Sequence, residues 1–390
     1  MSSMKKILIV SNNLTIGGVQ KALINLLWNI RKRYDVTLLL LNPSGAYMDK
    51  VPPEVKIISA RGDYRYLATS RKEGKNFSDY LKRAFYAAIT RICGRKYAVA
   101  LMKIGQQRIA GFDIAVSYIH NGPNKAFYGG CNEFLLKHVS AKKKIAFLHG
   151  DFTLFGANTR ENKKQYAQFD RIAACSQGCA DAFMKVNPDM AHKVMVVENC
   201  HRFEQIHDLA SEASISLDPE KINLVIVSRF GKEKSVERAL LAIAGLGSMK
   251  EKIHLFIIGD GVQKPKILEI LEQERLQPWV TLCGELENPY GYMQAADLLL
   301  IPSRSEAAPM VIGEAACLGT PILSMKTSSA EEMIANTGFG WVCENNVEAM
   351  TEALKELIGQ PHRLEDVARH LKLREFSNEN ALAQFQKCLE

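Results

Sequence analysis

The chain has 390 residues, of which 47% are apolar and 24% are charged. These proportions are typical of globular proteins and exclude an intrinsically disordered chain. No apolar run approaches the ~18 residues that a membrane-spanning helix needs. The net charge is +8, and the length predicts two domains of roughly 150 to 200 residues each.

The nine cysteines are scattered along the chain and form no CxxC pair. This pattern indicates reduced thiols in a cytosolic protein and argues against a disulfide framework or a zinc site. The apolar run Ile7 to Val10 near the N-terminus is shorter than the ~7 to 15 residues of a secretory signal core. We therefore expect a cytoplasmic protein.

Short apolar runs alternate with helical patterns, which is typical of α/β folds with helices on both faces of parallel sheets. In the first half we predict strands at Lys6 to Ser11, Val36 to Leu41, Val55 to Ile58, Ile114 to Tyr118, Ile145 to Leu148, Ile172 to Ala174 and Val194 to Val197. In the second half we predict strands at Ile222 to Ser228, His254 to Gly259, Val280 to Leu282, Leu298 to Ile301, Pro321 to Ser324 and Gly340 to Val342.

The polar stretch Cys200 to Lys221 is the predicted linker between the two halves. We accordingly expect an N-terminal domain of residues 1–203 and a C-terminal domain of residues 204–375. Apolar residues recur at helical spacing in residues 376–390, which predicts a last helix that docks on a neighbouring surface.

Two candidate site features follow predicted strands of the first domain. Gly17 and Gly18 follow the first strand, where the missing Cβ permits close approach to a ligand or simply a tight turn. His149 follows the strand Ile145 to Leu148; such a residue is a ligand contact or a structural histidine. Ligands bind at the carboxyl ends of strands in doubly wound folds, so these residues are candidates.

The second domain begins with two cations directly after its first strand, Arg229 and Lys234. Placed near a helix entry, they suit a diphosphate leaving group, and surface salt bridges are the alternative. Gly259 and Gly284 end the next two strands in turns that offer main-chain groups to a uracil or a guanine. No Asp-x-Asp pair lies in a suitable loop, so we expect no metal.

The most specific motif is a pair of carboxylates, Glu306 and Glu314, eight residues apart across a strand-to-helix junction. Glu306 follows the strand Leu298 to Ile301, and Pro309 is predicted to lie in the first turn of the next helix. One carboxylate beside a sugar and the other beside a ribose would flank a phosphate. The alternative is a solvated loop residue and a helix-surface charge.

The start of that helix is a predicted phosphate site. The free N–H groups near Met310 and Val311 point out of the helix terminus, with the positive end of the helix dipole behind them.

The positive charge is concentrated in one region. Residues 61–150 hold 17 basic and 5 acidic residues, a net +12, whereas the rest of the chain carries −4. With interleaved aromatics that include Tyr64, Tyr66, Phe77, Tyr80, Phe85 and Tyr86, residues 61–107 suit an anionic membrane surface, and an ordinary solvated helical insertion is the alternative. No nucleic-acid-binding pattern accompanies the charge, so we expect no nucleic acid partner.

With these residues in place, the chain resembles the retaining glycosyltransferases of family four over essentially its whole length. That family has the GT-B fold, two facing Rossmann-like doubly wound domains with an interdomain cleft. The stretch from Glu306 to Glu314 with the following residues 315–321 matches its Glu-x7-Glu motif. The resemblance implies that Glu306 contacts the donor sugar, that Glu314 holds the ribose, and that the last helix crosses back onto the first domain.

The resemblance also assigns roles to the other candidates. It implies that Arg229 and Lys234 bind the diphosphate and that His149 contacts the sugar and stabilises positive charge at the anomeric carbon. Gly17 and Gly18 match the glycine loop near the phosphates and the acceptor. The implied catalytic residues are Glu306, His149, Arg229 and Lys234. The implied donor-binding residues are Gly17, Gly18, Arg229, Lys234, Gly259, Gly284, Glu306, Pro309, Met310, Val311 and Glu314.

Two positions depart from the family pattern. Ser328 and Ser329 stand where the family usually has a Gly-Gly pair, and Gln20 replaces the Glu that commonly follows the N-terminal glycines. The sugar or phosphate contacts of the loop with Ser328 and Ser329 are therefore left open. The same holds for an acceptor contact at Gln20.

The implied activity is retaining transfer, without metal or cofactor, of a hexose or N-acetylhexosamine from a nucleotide sugar. UDP is the favoured nucleotide, and a glycan or lipid-linked acceptor in cell-envelope polysaccharide synthesis is expected. Such a protein would lie on the inner face of the plasma membrane. The alternatives are a nucleotide-sugar epimerase of the same fold and a non-catalytic nucleotide-sugar-binding subunit.

Overall fold

The computed structural model of the protein describes residues 4–69, 77–154 and 156–390. The chain forms two compact units, which we call unit 1 and unit 2. Unit 1 comprises Met1–Cys200 with Asn378–Glu390, and unit 2 comprises His201–Ser377. Each unit is built on one parallel sheet, so the predicted pair of Rossmann-like α/β domains is confirmed.

Unit 1 holds a seven-stranded sheet. Its strands are β1 (Lys6–Ser11), β2 (Asp35–Leu40), β3 (Lys56–Ser59), β4 (Ile109–Ser117), β5 (Val139–Leu148), β6 (Arg171–Ala174) and β7 (Val194–Val196). They are arranged in the order β3-β2-β1-β4-β5-β6-β7. The side chains of Ile7 to Val10 in β1 are fully buried, because a parallel sheet is covered on both faces.

Helices connect these strands. They are α1 (Gly18–Ile30), α2 (Phe77–Cys93), α3 (Arg95–Met102), α4 (Cys131–His138), α5 (Arg160–Tyr166) and α6 (Gln177–Val186). The last two begin where a hydroxyl caps the chain, since Thr159 and Ser176 each accept a hydrogen bond from a backbone N–H three residues later.

Strands β4 and β5 are longer than the apolar runs predicted. They begin five and six residues earlier than the sequence indicated, and they pair along this extension. The extension is mostly partly buried, carries Lys142 to Lys144, and contains a register shift between Ile109 and Phe112. Small and charged residues interrupt the apolar side chains of this extension, so there is no apolar run to detect.

Unit 2 holds a six-stranded sheet in the order β10-β9-β8-β11-β12-β13. Its strands are β8 (Ile222–Val227), β9 (Ile253–Ile258), β10 (Val280–Gly284), β11 (Leu298–Ile301), β12 (Ile322–Met325) and β13 (Gly340–Cys343). Its helices are α7 (Phe203–Glu212), α8 (Glu237–Ala244), α9 (Lys264–Gln273), α10 (Tyr290–Ala295), α11 (Met310–Cys317), α12 (Val347–Gly359) and α13 (His362–Lys372).

The stretch predicted as a linker, Cys200 to Lys221, is not a linker throughout. Ten of its residues form α7, and the apolar side chains of Ile206 and Ala210 are buried in a core of unit 2. The polar residues of this stretch lie on the other side of an amphipathic helix, which explains why composition alone suggested a connecting segment.

The helix predicted within residues 376–390 is α14 (Glu379–Leu389). Its residues Ala381, Phe385, Cys388 and Leu389 are buried in the core of unit 1 beside residues of β1 and β5. Among the described residues, no helix is both long enough and apolar enough to cross a membrane.

Candidate functional site

The order of the strands in unit 2 reverses between β8 and β11. Strand β8 pairs with β9 on one side and with β11 on the other, through Leu298 and Leu224 in parallel register. The loops that leave β8 and β11 therefore begin side by side at the carboxyl edge of the sheet. In doubly wound folds this reversal point is where ligands bind.

These two loops carry Lys234 and Glu306, and their side chains meet. The Lys234 ammonium lies 2.6 Å from Oε1 of Glu306. The Ser303 hydroxyl donates to the same oxygen at 2.7 Å. The Glu306 side chain is only 9% exposed and that of Lys234 is 25% exposed, so the pair is shielded from bulk water. Two residues predicted for different parts of the donor are thus bonded to each other.

Arg229, the second predicted diphosphate ligand, lies at the start of the same loop. Its guanidinium donates to Glu233 at 2.7 Å, and its side chain is 72% exposed. An exposed pair of this kind contributes little to stability, so Arg229 is available to an anionic ligand at small cost.

Arg304 joins the two loops. Its backbone N–H donates to the Glu233 carbonyl at 2.8 Å, and its Nε donates to the Ser235 hydroxyl at 2.9 Å. Ser235 itself has φ +48, a left-handed conformation that an L-residue adopts at a cost of roughly 1 kcal/mol. Its hydroxyl contact with Arg304 and its complete burial hold it there.

Helix α11 begins one residue later than predicted. Pro309 has extended backbone angles and occupies the N-cap position, and the helix begins at Met310. The N–H groups of Met310 and Val311 belong to the first turn, where an α-helix provides no internal acceptor. Glu314 follows one turn later and is 3% exposed, so it is not the helix-surface charge that the alternative interpretation required.

Sequence reasoning missed two hydroxyls that hold Glu306. Ser303 contacts its carboxylate, and the Ser328 hydroxyl donates to its main-chain carbonyl at 2.8 Å. The three-residue spacing of Ser303 from Glu306 was a usable signal. Nothing in the sequence indicated the contact between Ser328 and Glu306, which are 22 residues apart, although Ser328 departs from the family pattern.

Gly259 and Gly284 lie close together at the ends of β9 and β10, where the Gly259 N–H donates to the Gly284 carbonyl at 2.7 Å. Gly259 has φ +141, and a Cβ there would lie 1.9 Å from the Ser228 carbonyl oxygen. The fold of unit 2 therefore requires glycine at this position whether or not a ligand binds. Nucleotide contact by either residue stays a prediction.

The remaining predicted residues lie in unit 1. Gly17 is the N-cap of α1 with extended backbone angles, and Gly18 is the first residue of that helix. Their contact with a donor or acceptor stays a prediction.

His149 directly follows β5 and is half-buried. Its ring lies 4.6 Å from that of Tyr118, and its Nε2 has no hydrogen-bond partner among the described residues. Burial, with a smaller contribution from His120, lowers the His149 pKa to about 3. The imidazole is therefore neutral at physiological pH and brings no positive charge of its own.

Metal-binding clusters are not found in the described ranges, where no three His, Cys, Asp or Glu side chains are grouped as ligands.

Comparisons with known proteins match both units. Residues 210–374 match the family described as Glycosyl transferases group 1. The chain is 26% identical over 252 residues to N-acetyl-alpha-D-glucosaminyl L-malate synthase of Bacillus anthracis, covering 63% of this chain and 64% of that protein. The alignment thus spans just under two thirds of this relative's length.

A second relative aligns over most of the chain. It is the N-acetylgalactosamine-N,N'-diacetylbacillosaminyl-diphospho-undecaprenol 4-alpha-N-acetylgalactosaminyltransferase of Campylobacter jejuni, 24% identical over 367 residues, with 91% of this chain and 90% of that protein covered.

Among solved structures, Anabaena Alr3699/HepE in complex with UDP and glucose superposes with a TM-score of 0.69 at 16% identity, covering 99% of both chains. This likeness concerns the fold. Together with the two parallel sheets it identifies the GT-B fold. The chain therefore has the GT-B fold, and its residues 210–374 are similar to the family Glycosyl transferases group 1.

Proposed function

We propose that the chain transfers a hexose or N-acetylhexosamine from a UDP-linked sugar to a glycan or lipid-linked acceptor in cell-envelope polysaccharide synthesis. The observation that carries this proposal is the pairing of Lys234 with Glu306 beside the start of α11, at the strand-order reversal of unit 2. The names of the two relatives, both of which specify N-acetylhexosaminyl groups, and the UDP complex of the Anabaena protein support the same substrate class.

In this proposal the diphosphate lies against the first turn of α11. Lys234 and Arg229 neutralise it, and the helix N-terminus adds free N–H donors to the phosphate oxygens. Lys234 then leaves Glu306, whose carboxylate accepts hydrogen bonds from hydroxyls of the transferred sugar. Glu314 binds the ribose. Electrostatic stabilisation of the departing diphosphate is the protein's main contribution to the rate.

We propose that transfer retains the anomeric configuration. The departing β-phosphate oxygen takes the proton of the acceptor hydroxyl on the face where the new bond forms, so that no protein base is required. Positive charge builds on the sugar ring as the bond to the phosphate breaks. A neutral His149 is compatible with the sugar contact predicted for it, because it does not oppose this charge.

Nucleotide binding tests the proposed donor class. Titration calorimetry of the whole chain with UDP, GDP and ADP, in excess EDTA, is expected to give binding with UDP tightest, since fixed cations serve the diphosphate. At 100 times its dissociation constant, UDP should add about 2.7 kcal/mol to the free energy of unfolding. Failure of every nucleotide to bind, or binding that appears only when Mg²⁺ or Mn²⁺ is restored, would contradict the proposal.

We also propose that unit 1 meets an anionic membrane through α2. The predicted surface was residues 61–107, of which residues 70–76 lie outside the described residues. Along α2, Phe77, Leu81 and Ile92 are 75%, 51% and 78% exposed, and their spacing places them on one face. Tyr86 and Thr90, the buried residues of α2, lie on the opposite face.

Charge accompanies this exposed apolar face. Lys82, Arg91 and Lys96 are exposed on or next to α2. An exposed apolar stripe with flanking cations is the pattern of a helix that lies in the interface of an anionic bilayer. Such a position would bring unit 1 to a lipid-linked acceptor.

Vesicle sedimentation tests this surface. Binding to vesicles containing phosphatidylglycerol should weaken as salt rises, because surface attraction is screened over ~8 Å at physiological ionic strength. The double variant Leu81→Ser, Ile92→Ser should bind vesicles about tenfold more weakly. It removes exposed apolar area whose burial in the bilayer contributes about 1 to 2 kcal/mol to binding. Val262→Ser, at an equally exposed valine of unit 2, is the control. Equal binding to neutral and anionic vesicles would refute the proposal.

A further inference from the structure

We propose that Ser328, together with Ser303, is a positioning residue that holds Glu306 in place for the donor sugar once Lys234 has turned to the diphosphate. The inference rests on the proposed function and adds to it two residues that the motif does not contain.

The first support is the set of contacts around Glu306. Its Oε1 accepts from the Lys234 ammonium at 2.6 Å and from the Ser303 hydroxyl at 2.7 Å. Its main-chain carbonyl accepts from the Ser328 hydroxyl at 2.8 Å. One contact is an ion pair that a ligand can replace, and the other two are neutral bonds from serines.

The second support is the location of the two serines. Ser303 is 2% exposed and lies two residues after the end of β11. Ser328 lies three residues after the end of β12, the strand that pairs directly with β11. The loop that carries Glu306 is therefore held by two hydrogen bonds, one from the loop's own residue Ser303 and one from Ser328 in the loop after the neighbouring strand.

Donor binding is expected to separate the ion pair between Lys234 and Glu306. A diphosphate carries more negative charge than one carboxylate, so it draws the Lys234 ammonium away from Glu306. The carboxylate then loses its charge-assisted bond at the moment when it must face the sugar. The bonds from Ser303 and Ser328 remain, and a functional group must be held within about 0.5 Å of its productive position.

The role requires a hydroxyl at position 328. Glycine, which the resembling family usually has there, supplies no donor to the Glu306 carbonyl. Threonine keeps the hydroxyl, whereas alanine removes it without adding volume. The series Ser328→Ala and Ser328→Thr therefore separates the hydrogen bond from the packing of the loop.

The test measures two constants on the whole chain, UDP affinity by calorimetry and kcat for sugar transfer or donor hydrolysis with the UDP-sugar that binds. Ser328→Ala and Ser303→Ala are each expected to lower kcat by roughly 5- to 12-fold, the value of one hydrogen bond, while UDP affinity stays within about twofold. Ser328→Thr, which keeps the hydroxyl, should have the kcat of the parent chain. Ser305→Ala is the matched control, because no hydrogen bond of the Ser305 hydroxyl is found in the described part of the chain.

If Ser328→Ala transfers as fast as the parent chain, or if Ser305→Ala loses as much, the positioning role is overturned. A loss of UDP affinity in Ser328→Ala that Ser328→Thr fails to restore indicates a structural role and also overturns it. If the parent chain binds no nucleotide, the proposed function itself fails, and the inference fails with it.

Discussion

Glu306→Gln is expected to lower sugar transfer by about 100-fold or more while the chain binds free UDP at least as tightly as before. The loss corresponds to about 3 kcal/mol of transition-state stabilisation, the size seen when one preorganised charged or polar contact is removed. Free UDP lacks the transferred sugar, so its binding involves no sugar contact with Glu306.

The ion pair makes this expectation sharper than the motif alone. In the free chain the Lys234 ammonium lies 2.6 Å from Glu306, so a diphosphate must compete with the carboxylate for it. A neutral glutamine removes that competition. UDP affinity should therefore stay constant or rise in the variant, and a calorimetric titration reads this directly.

Lys234→Ala provides the opposite pattern. It removes a charge-assisted contact worth about 1.5 to 3 kcal/mol, so UDP should bind roughly 10- to 150-fold more weakly. Arg229→Ala should weaken binding less, because its side chain is largely exposed. Glu352→Gln, which breaks a surface pair with Lys355 on α12, is the control and should change neither constant. If Glu306→Gln loses UDP affinity as severely as Lys234→Ala, Glu306 does not face the sugar.

The second large effect concerns the stability of unit 1. Arg95, the first residue of α3, donates to Glu133 of α4 at 2.7 Å, and the two side chains are 3% and 6% exposed. Arg95→Met leaves Glu133 buried without its cation. Removing one partner of a buried pair typically lowers the free energy of unfolding by about 3 to 5 kcal/mol at neutral pH.

The pH dependence follows from the pKa of Glu133. Burial acts to raise it, but the Arg95 guanidinium holds it below its ordinary value. In the parent chain this stabilisation is present above the unfolded pKa and is lost as pH falls through the folded pKa. Arg95→Met removes the strongest influence that opposes burial, so the Glu133 pKa rises. The cost of the substitution should therefore shrink as pH falls from 7 toward 5.

Hydrogen exchange followed by mass spectrometry measures this effect in each unit separately. Peptides from α3 and α4 should exchange faster in Arg95→Met at pH 7, while peptides of unit 2 serve as an internal control. The double variant Arg95→Met, Glu133→Leu should recover most of the protection, because it leaves no buried charge. Full protection in Arg95→Met alone would contradict this account of the pair.

The sequence predicted every strand of both sheets. The central strands contain buried apolar runs, such as Ile7 to Val10 in β1 or Leu298 to Ile301 in β11. The edge strands β3, β7, β10 and β13 are less buried but still carry short apolar runs. It failed where polar or small residues interrupt the apolar ones. The outer parts of β4 and β5 are mostly partly buried and contain no continuous apolar run, and α7 buries only Ile206 and Ala210. In such segments the polar residues that face solvent are as numerous as the apolar residues that face the core, so composition does not reveal the helix or strand.

The candidate site was predictable where chain position alone brings residues together. Lys234 and Glu306 each follow a strand, and the two strands are neighbours, so their proximity follows from the doubly wound order. The contact of Ser328 with Glu306 depends on the conformation of the loop after β12. No sequence period encodes that conformation.

The central claim is that UDP lies on unit 2 between the loop after β8 and the start of α11. A crystal structure of the chain with UDP tests it most directly. The account predicts the diphosphate within hydrogen-bond distance of Lys234 and of the Met310 and Val311 N–H groups, with the ribose at Glu314. It also predicts that the Lys234 to Glu306 contact is lengthened beyond 4 Å, the limit of an ion pair. UDP bound elsewhere, or a diphosphate beside an intact Lys234 to Glu306 pair, would contradict it.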